Sequence, residues 1–198
     1  ILGNEIYLCR DGLNGQNFVR GEDKYYHFIL LAKDAIGHKQ IRELSTRAWL
    51  RSYLTGKMRR VPTYYQDLID IIGANPGHVI GSTACLGGFL GTKLLQWRQE
   101  GSSEIFYNQI INWLYNIENI FGKGNFFLEM QPSANDEQLL VNKQIYLISK
   151  ELNIPFIITT DSHYCRKEDA PIHKAFLNAQ EGDREVDSFY ATTYLMGT

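Results

Sequence analysis

The segment from Ile154 to Tyr164 most constrains the fold of this chain, because an apolar run leads directly into polar groups. The β-branched and aromatic residues after Pro155 predict a short buried strand. Asp161 and His163 follow where that strand should end, and in parallel α/β folds ligands bind at such ends. Residues two apart leave an extended strand on the same face, so both side chains should converge on one ion. The alternative is that Asp161 caps the next segment and His163 is an ordinary surface histidine.

The composition indicates a globular chain with no global electrostatic reason to bind nucleic acid or a membrane. Of its 198 residues 44% are hydrophobic and 21% charged, which is enough for one core. The net charge is −2, and no run approaches the roughly 18 apolar residues of a membrane span. Cys9, Cys85 and Cys165 are odd in number and far apart, which favours a reducing, cytoplasmic setting. We expect a single domain over residues 1–198.

Predicted strands and helices alternate along the chain, which indicates an α/β fold with a parallel-type sheet or barrel. The predicted strands are 1–9, 25–32, 78–81, 125–130 and the run that begins at Ile154. The predicted helices are 34–54, 64–72, 89–100, 105–121, 137–152 and 170–179. Residues 11–23 are predicted to be a loop, and the basic residues of 56–60 predict either a phosphate-facing turn or ordinary solvated surface.

Five side chains of metal-ligating type lie in or just after separate predicted strands. They are Glu5, His27, Cys85, Asp161 and His163. Carboxylate, imidazole and thiolate groups bind Zn²⁺, Mn²⁺ and iron, and a carboxylate inside a strand is costly to bury unless it is paired or metal-bound. Only Asp161 and His163 have a diagnostic spacing. Two alternatives therefore remain open, a cysteine nucleophile with a histidine base and a set of unrelated structural residues.

Five motifs occur in the same order as in one protein family. They are Gly3-x-Glu5-Ile6-Tyr7, His27-x-x-Leu30-Leu31-Ala32-Lys33, Ser82-Thr83-Ala84-Cys85-Leu86-Gly87-Gly88, Phe127-Leu128-Glu129-x-Gln131 and Thr160-Asp161-Ser162-His163-Tyr164. Together they resemble the polymerase-and-histidinol-phosphatase (PHP) domain of the bacterial DNA polymerase III α subunit, along nearly the whole chain. The segment from Asp187 to Leu195 is similar to the part of that family that leads toward the polymerase palm.

The resemblance implies a distorted seven-stranded (β/α) barrel with metals at one mouth. It matches five positions to metal ligands of the family, namely Glu5, His27, Cys85, Asp161 and His163. The family's first motifs, a His-x-His and a later Asp-His, lie upstream of Glu5, so we expect a partial barrel without its N-terminal strands. The implied cofactor is a divalent metal, Zn, Mn or Fe. The exposed edge of such a barrel predicts a homo-oligomer or a covered edge.

The function implied by the resemblance is a part in DNA replication within a longer polymerase, with DNA and other replisome subunits as partners and no membrane. The metal site would serve a phosphoesterase, in this family a 3′→5′ exonuclease used in proofreading. Two alternatives are a non-catalytic structural module, favoured by the missing upstream histidines, and a stand-alone small-molecule phosphoesterase of histidinol-phosphatase type. Nothing in the chain resembles an acidic palm motif, so we do not expect this chain alone to polymerise DNA.

Overall fold

The computed structural model describes residues 1–9, 25–133, 135–181 and 192–196. They belong to two compact units, Ile1–Leu128 and Glu129–Thr198. The predicted loop 11–23 and most of the segment that begins at Asp187 lie outside the described residues. Whether the two units form the single domain expected from the sequence stays a prediction.

Eight strands and six helices are found in the described residues. The strands are β1 (Gly3–Cys9), β2 (Tyr25–Ala32), β3 (Tyr53–Thr55), β4 (Met58–Arg60), β5 (Pro62–Tyr64), β6 (Val79–Ser82), β7 (Phe126–Met130) and β8 (Phe156–Ile158). The helices are α1 (Ala35–Leu50), α2 (Tyr65–Leu68), α3 (Phe89–Gln99), α4 (Glu104–Phe121), α5 (Asp136–Leu152) and α6 (Ala170–Glu181). The π-helical turn Ile69–Gly73 extends α2, and the 3₁₀ turn Lys167–Asp169 precedes α6. No helix in this part of the chain has the length and hydropathy to cross a bilayer.

The first unit is built on a sheet with the strand order β5-β1-β2-β6-β7. Strands β5, β1, β6 and β7 run in one direction, whereas β2 is antiparallel to both of its neighbours. Because β2 is reversed, its first residues lie at the same end of the sheet as the carboxyl ends of the other strands. The α/β fold expected from the sequence is confirmed, and within the described residues the sheet does not close into a barrel.

Three stacked aromatic rings form the centre of the first unit's core. The ring centroid of Phe28 lies 5.7 Å from that of Phe121 and 6.2 Å from that of Phe126. All three side chains are buried. A Cβ atom on Gly81 of β6 would lie 2.8 Å from the Phe121 ring, so the ring occupies the space that a larger residue would need.

Asp34 begins α1 and joins it to the segment before β6. Its carboxylate accepts a hydrogen bond from the Gly37 amide at 2.9 Å and lies 2.7 Å from His78 Nδ1. The Gly37 hydrogen bond and then the contact with His78 lower the pKa of Asp34. A Cβ atom on Gly37 would lie 1.9 Å from the His78 carbonyl oxygen, so only glycine allows this close approach.

The prediction for the middle of the first unit is wrong in two respects. Helix α1 ends at Leu50 rather than at 54, and Tyr53–Thr55 pairs with Met58–Arg60 as a hairpin around Gly56 and Lys57. Strand β5 was not predicted, and it pairs with β1 at the edge of the sheet. Strands of three residues are too short to show an alternating pattern, although their aromatic and β-branched residues favour extended backbone.

The second unit contains α5, β8 and α6. The Asn135 side chain caps α5 by accepting hydrogen bonds from the Glu137 and Gln138 amides at 2.9 and 3.2 Å. The short strand predicted after Pro155 is found as β8, but the prediction that it is buried is wrong, because Phe156 and Ile157 are only half-buried and Ile158 is 68% exposed. An apolar run predicts burial only where other elements cover both faces of the strand.

Candidate functional site

His27 lies near the start of β2 and contacts Glu5 on the neighbouring strand β1. The register of the two strands places Tyr7 opposite His27 and Glu5 on the diagonal. His27 Nδ1 is 2.7 Å from a Glu5 carboxylate oxygen. The His27 side chain is 37% exposed and that of Glu5 50% exposed, so a solute can reach both groups.

Cys85 reaches the same imidazole from the loop that follows β6. Its Sγ atom is 3.5 Å from His27 Nδ1. Ala84 turns the loop with a φ of 57°, which is uncommon for a residue other than glycine. The Gly88 amide donates a hydrogen bond to the Cys85 carbonyl at 2.9 Å, and a Cβ atom on Gly88 would lie 2.1 Å from the Thr83 carbonyl oxygen. The backbone of this turn therefore leaves no room for a larger residue.

The loop is also fixed to β2 by its backbone. The His27 amide donates to the Gly87 carbonyl at 3.1 Å, and His27 and Gly88 form an isolated β-bridge. A Cβ atom on Gly87 would lie 3.4 Å from the His27 ring, which shows how closely the loop passes the imidazole. These contacts explain why Cys85 and His27 meet although they are far apart in the sequence.

The electrostatic surroundings of His27 favour its protonated form. The contact with the Cys85 sulfur, and next that with the Glu5 carboxylate, raise the pKa of His27 to about 10, although burial alone would lower it. Both contacts are made by the Nδ1 atom, so they favour a proton on that nitrogen.

Asp161 and His163 lie in the second unit, on the segment after β8 rather than on a strand. Asp161 has a φ of 46°, so the extended geometry expected from the sequence is wrong. His163 Nδ1 is 2.6 Å from the backbone carbonyl oxygen of Asp161. The His163 amide donates to the Thr193 carbonyl at 2.7 Å, which joins this segment to residues 192–196. Aspartate tolerates left-handed backbone better than most residues, which explains the turn.

Two further residues of the second unit have side chains of metal-ligating type, His173 and Glu129. His173 of α6 was missed, and its ring centroid is 5.8 Å from that of His163 and 5.3 Å from that of Tyr164. Burial and then the charge of His163 lower the pKa of His173. Glu129 of β7 is a buried carboxylate that accepts hydrogen bonds from the Thr159 hydroxyl and the Gln131 amide. The motif around Glu129 was visible in the sequence, whereas no spacing rule relates His173 to His163.

The five predicted ligands thus fall into two groups. Glu5, His27 and Cys85 belong to the first unit, and Asp161 and His163 belong to the second. Among the described residues, no set of three or more His, Cys, Asp and Glu side chains is arranged to hold a metal ion. The donor types of the first group nevertheless fit Zn²⁺, which binds carboxylate, imidazole and thiolate groups. The Glu5 carboxylate and the Cys85 sulfur both contact the Nδ1 atom of the His27 imidazole.

Known proteins resemble this chain over most of its length. The sequence profile of the PHP domain matches residues 1–133. A probable DNA polymerase, YorL of Bacillus subtilis strain 168, is 42% identical over 98% of this chain and 16% of that protein. The DNA polymerase III subunit alpha of Thermus aquaticus is 30% identical over 91% of the chain and 13% of that protein. That of Borreliella burgdorferi is 28% identical over 94% of the chain and 15% of that protein.

The chain therefore spans less than a fifth of the length of these curated relatives. The match to the PHP domain covers more than half of the chain, and it includes Glu5, His27 and Cys85. On this evidence, the chain belongs to the PHP domain family.

Proposed function

We propose that this chain is the PHP part of a replicative DNA polymerase, and that it binds a divalent metal ion for the hydrolysis of phosphodiesters as a 3′→5′ exonuclease. The observation that carries the proposal is the convergence of Glu5 and Cys85 on the Nδ1 atom of His27. Support for the replicative role comes from the relatives, which are named as DNA polymerases. PHP domains are generally metal-dependent, which supports the metal.

In this proposal Glu5, His27 and Cys85 of the first unit bind Zn, Mn or Fe, and Asp161 and His163 are proposed metal ligands of the second unit. A divalent metal held there would lower the pKa of a bound water, which would add to phosphorus as the bond to the leaving 3′ oxygen breaks. A metal on the Nδ1 atom of His27 would take the place of a proton there, so binding should weaken as the pH falls. The backbone hydrogen bond from His27 to Gly87 holds the loop that carries Cys85 beside β2, and the partly exposed side chains of His27 and Glu5 leave the site accessible to a solute.

Measuring the metal content of the purified chain tests whether the site binds metal. We would measure it by elemental analysis on the chain, on a His27→Ala/Cys85→Ser variant and on His38→Ala, which removes a histidine of α1 outside the site. We expect stoichiometric metal in the wild type and in His38→Ala, and an affinity at least about tenfold lower in the double variant. An Asp161→Asn/His163→Ala variant tests the second group in the same way. A wild-type chain without metal would contradict the proposal.

Nuclease activity is the second step of the test. A primer labelled at its 5′ end and mismatched at its 3′ end, with Mn²⁺ or Zn²⁺ added, should be shortened from the 3′ end by the wild type. The His27→Ala/Cys85→Ser variant should not shorten it, and His38→Ala should. Cleavage of a small phosphate monoester without cleavage of the primer would favour the small-molecule phosphoesterase instead.

A non-catalytic module is the second candidate, and one observation favours it. No group of three metal-ligating side chains is arranged around an ion in the part of the chain that the structure describes. Such a module would support the polymerase and contact DNA and other replisome subunits in the cytoplasm.

Strand β5 at the edge of the first unit's sheet supports the proposal of a homo-oligomer. A monomer by light scattering that melts cooperatively would argue against the homo-oligomer.

A further inference from the structure

The most basic stretch of the chain lies outside the candidate site. Residues 44–66 contain five arginines and lysines and no aspartate or glutamate, in a chain whose net charge is −2. Two of these cations are neutralised, because Arg47 pairs with Glu43 and Asp70, and Arg51 pairs with Asp67. The other three cations lie on the β3–β4 hairpin, and they make no ion pair with another described residue. They are Lys57, Arg59 and Arg60.

Contacts with neighbouring residues position two of these cations, Arg59 and Arg60. Lys57 lies in the turn, and the Arg60 guanidinium stacks 5.2 Å from the centroid of the Tyr25 ring, which anchors the hairpin. Arg59 Nη1 donates to the Ser52 hydroxyl at 3.0 Å, and the Ser52 amide donates to the Trp49 carbonyl at 3.1 Å. Arg59 is therefore held close to the carboxyl end of α1, where Trp49 lies.

Large apolar side chains are exposed around the same cations. Trp49 is 57% exposed, Leu50 84%, Leu54 62% and Met58 52%. The two strands of the hairpin pair only with each other in the described part of the chain, and an isolated two-stranded sheet is marginally stable in water. A surface that combines cations without an ion pair among the described residues, an exposed indole and a poorly covered hairpin is typical of a binding surface.

Trp49 also borders a cavity of about 230 Å³ between α1 and strands β1 and β5. Asn4, Ser45 and Thr63 place polar groups in its lining. Glu5 also lines this cavity. Lys57 and Arg59 of the hairpin are exposed, so their charges are accessible to phosphate groups.

We propose that the hairpin Tyr53–Arg60 and Trp49 bind single-stranded nucleic acid. Lys57 and Arg59 contact backbone phosphates, and a base stacks on the Trp49 indole at the mouth of the cavity. Single-strand sites combine cations that follow the backbone with aromatic side chains that accept any base. An acidic protein segment would satisfy the cations but would gain nothing from a stacking surface. The proposal needs no metal, so it stands apart from the proposed hydrolysis.

The test is fluorescence anisotropy of a labelled oligothymidine of about 20 nucleotides, titrated with the 198-residue chain in EDTA at several salt concentrations. We expect Lys57→Ala/Arg59→Ala to weaken binding about tenfold or more at low salt. It should also reduce the slope of log K against log salt by about 1.4, since each phosphate contact contributes about 0.7 for a single strand. Trp49→Ala should weaken binding about tenfold with the slope unchanged, because stacking releases no counterions.

The matched control is Lys39→Ala/Arg42→Ala, which removes two exposed cations from α1 away from the hairpin. It should leave both affinity and slope unchanged. Circular dichroism confirms that each variant is folded before it is compared. Three outcomes would overturn the proposal: no binding by the wild type, equal weakening in the control, or equal competition by polyglutamate at the same charge. The last of these would identify an acidic protein as the partner. Because EDTA removes metal, failure here would leave the metal-dependent hydrolysis untouched.

Discussion

The two groups of predicted ligands are held in different ways. Glu5 and His27 are positioned by the register of paired strands, and Cys85 is positioned by a turn that admits only glycine at Gly88. Asp161 and His163 instead follow a three-residue strand and contact each other through a backbone carbonyl. Side chains on paired strands are oriented before any ligand binds, whereas a loop segment has fewer constraints. Metal-ligating side chains of the same chemical type can therefore differ widely in how firmly their positions are fixed before a ligand binds.

The substitution Gly88→Ala should have the largest effect on the first group. A Cβ atom would lie 2.1 Å from the Thr83 carbonyl, so the turn that carries Cys85 must move. We expect the free energy of unfolding to fall by about 2–4 kcal/mol in urea denaturation. Gly73→Ala is the control, since its nearest neighbours would be 3.8 Å away. Equal stability of the two variants would show that the turn adapts easily and that the contrast between the groups is smaller than described.

The second unit should respond more mildly to loss of the cap on α5. Asn135→Ala removes the acceptor for the Glu137 and Gln138 amides, at a cost of about 1 kcal/mol. Hydrogen exchange at the first turn of α5 measures the effect directly. Lys143→Ala, an exposed position later in the same helix, should leave that exchange unchanged. Faster exchange throughout α5 in both variants would mean that packing rather than the cap controls the helix.

Backbone strain at Asp161 offers a sharper comparison with Gly88. Glycine adopts a φ of 46° freely, so Asp161→Gly should change the free energy of unfolding by less than about 1 kcal/mol. Asp161→Val should cost about 1–2 kcal/mol more than Asp161→Gly, because a β-branched residue fits left-handed backbone poorly. Urea denaturation measures both. A large loss in Asp161→Gly would show that the carboxylate itself holds the segment, and the second group would then be as well organised as the first.

The smallest effect concerns pH and the start of α1. The Gly37 amide and then His78 lower the pKa of Asp34 below its ordinary value of 3.8 in the folded chain. The carboxylate therefore contributes its full stabilisation above pH 3.8, and this contribution is lost as the pH falls toward the lower folded pKa. Asp34→Asn should show less loss of stability on acidification, measured by the urea midpoint. The control is Asp136→Asn on α5, which should show the same dependence of the urea midpoint on pH as the wild type. The same dependence in Asp34→Asn would contradict the prediction.

The sequence predicted long elements well and short ones poorly. The helix predicted at 105–121 is α4, Glu104–Phe121, because its apolar residues recur at helical spacing over five turns. Strands β3, β4 and β5 were missed, since three residues carry no measurable period. The extended geometry at Asp161 was wrong because β8 ends at Ile158, before the residues whose side chains it was meant to align.

The site was accessible to sequence reasoning only in part. The types of ligand in Glu5, His27 and Cys85 could be recognised, but nothing in a separation of 58 residues predicts that Cys85 meets His27. That contact depends on the reversed direction of β2, which places the start of β2 beside the end of β6. The resemblance to the PHP family predicted that these residues belong to one set of metal ligands, whereas local sequence patterns identified only their chemical types. Long-range pairing is the physical information that a local pattern lacks.

The position of these residues in the sequence also has a consequence for folding during synthesis. Glu5, His27 and Cys85 all leave the ribosome before Phe121 and Phe126, the rings that pack beneath β2. Domains fold as units during synthesis, so the nascent chain carries a complete set of these three donors before it has a finished core. In that interval the Cys85 thiol has no packed sheet behind it. If the proposed metal binds to the nascent chain, it would join strands that the hydrophobic core does not yet hold.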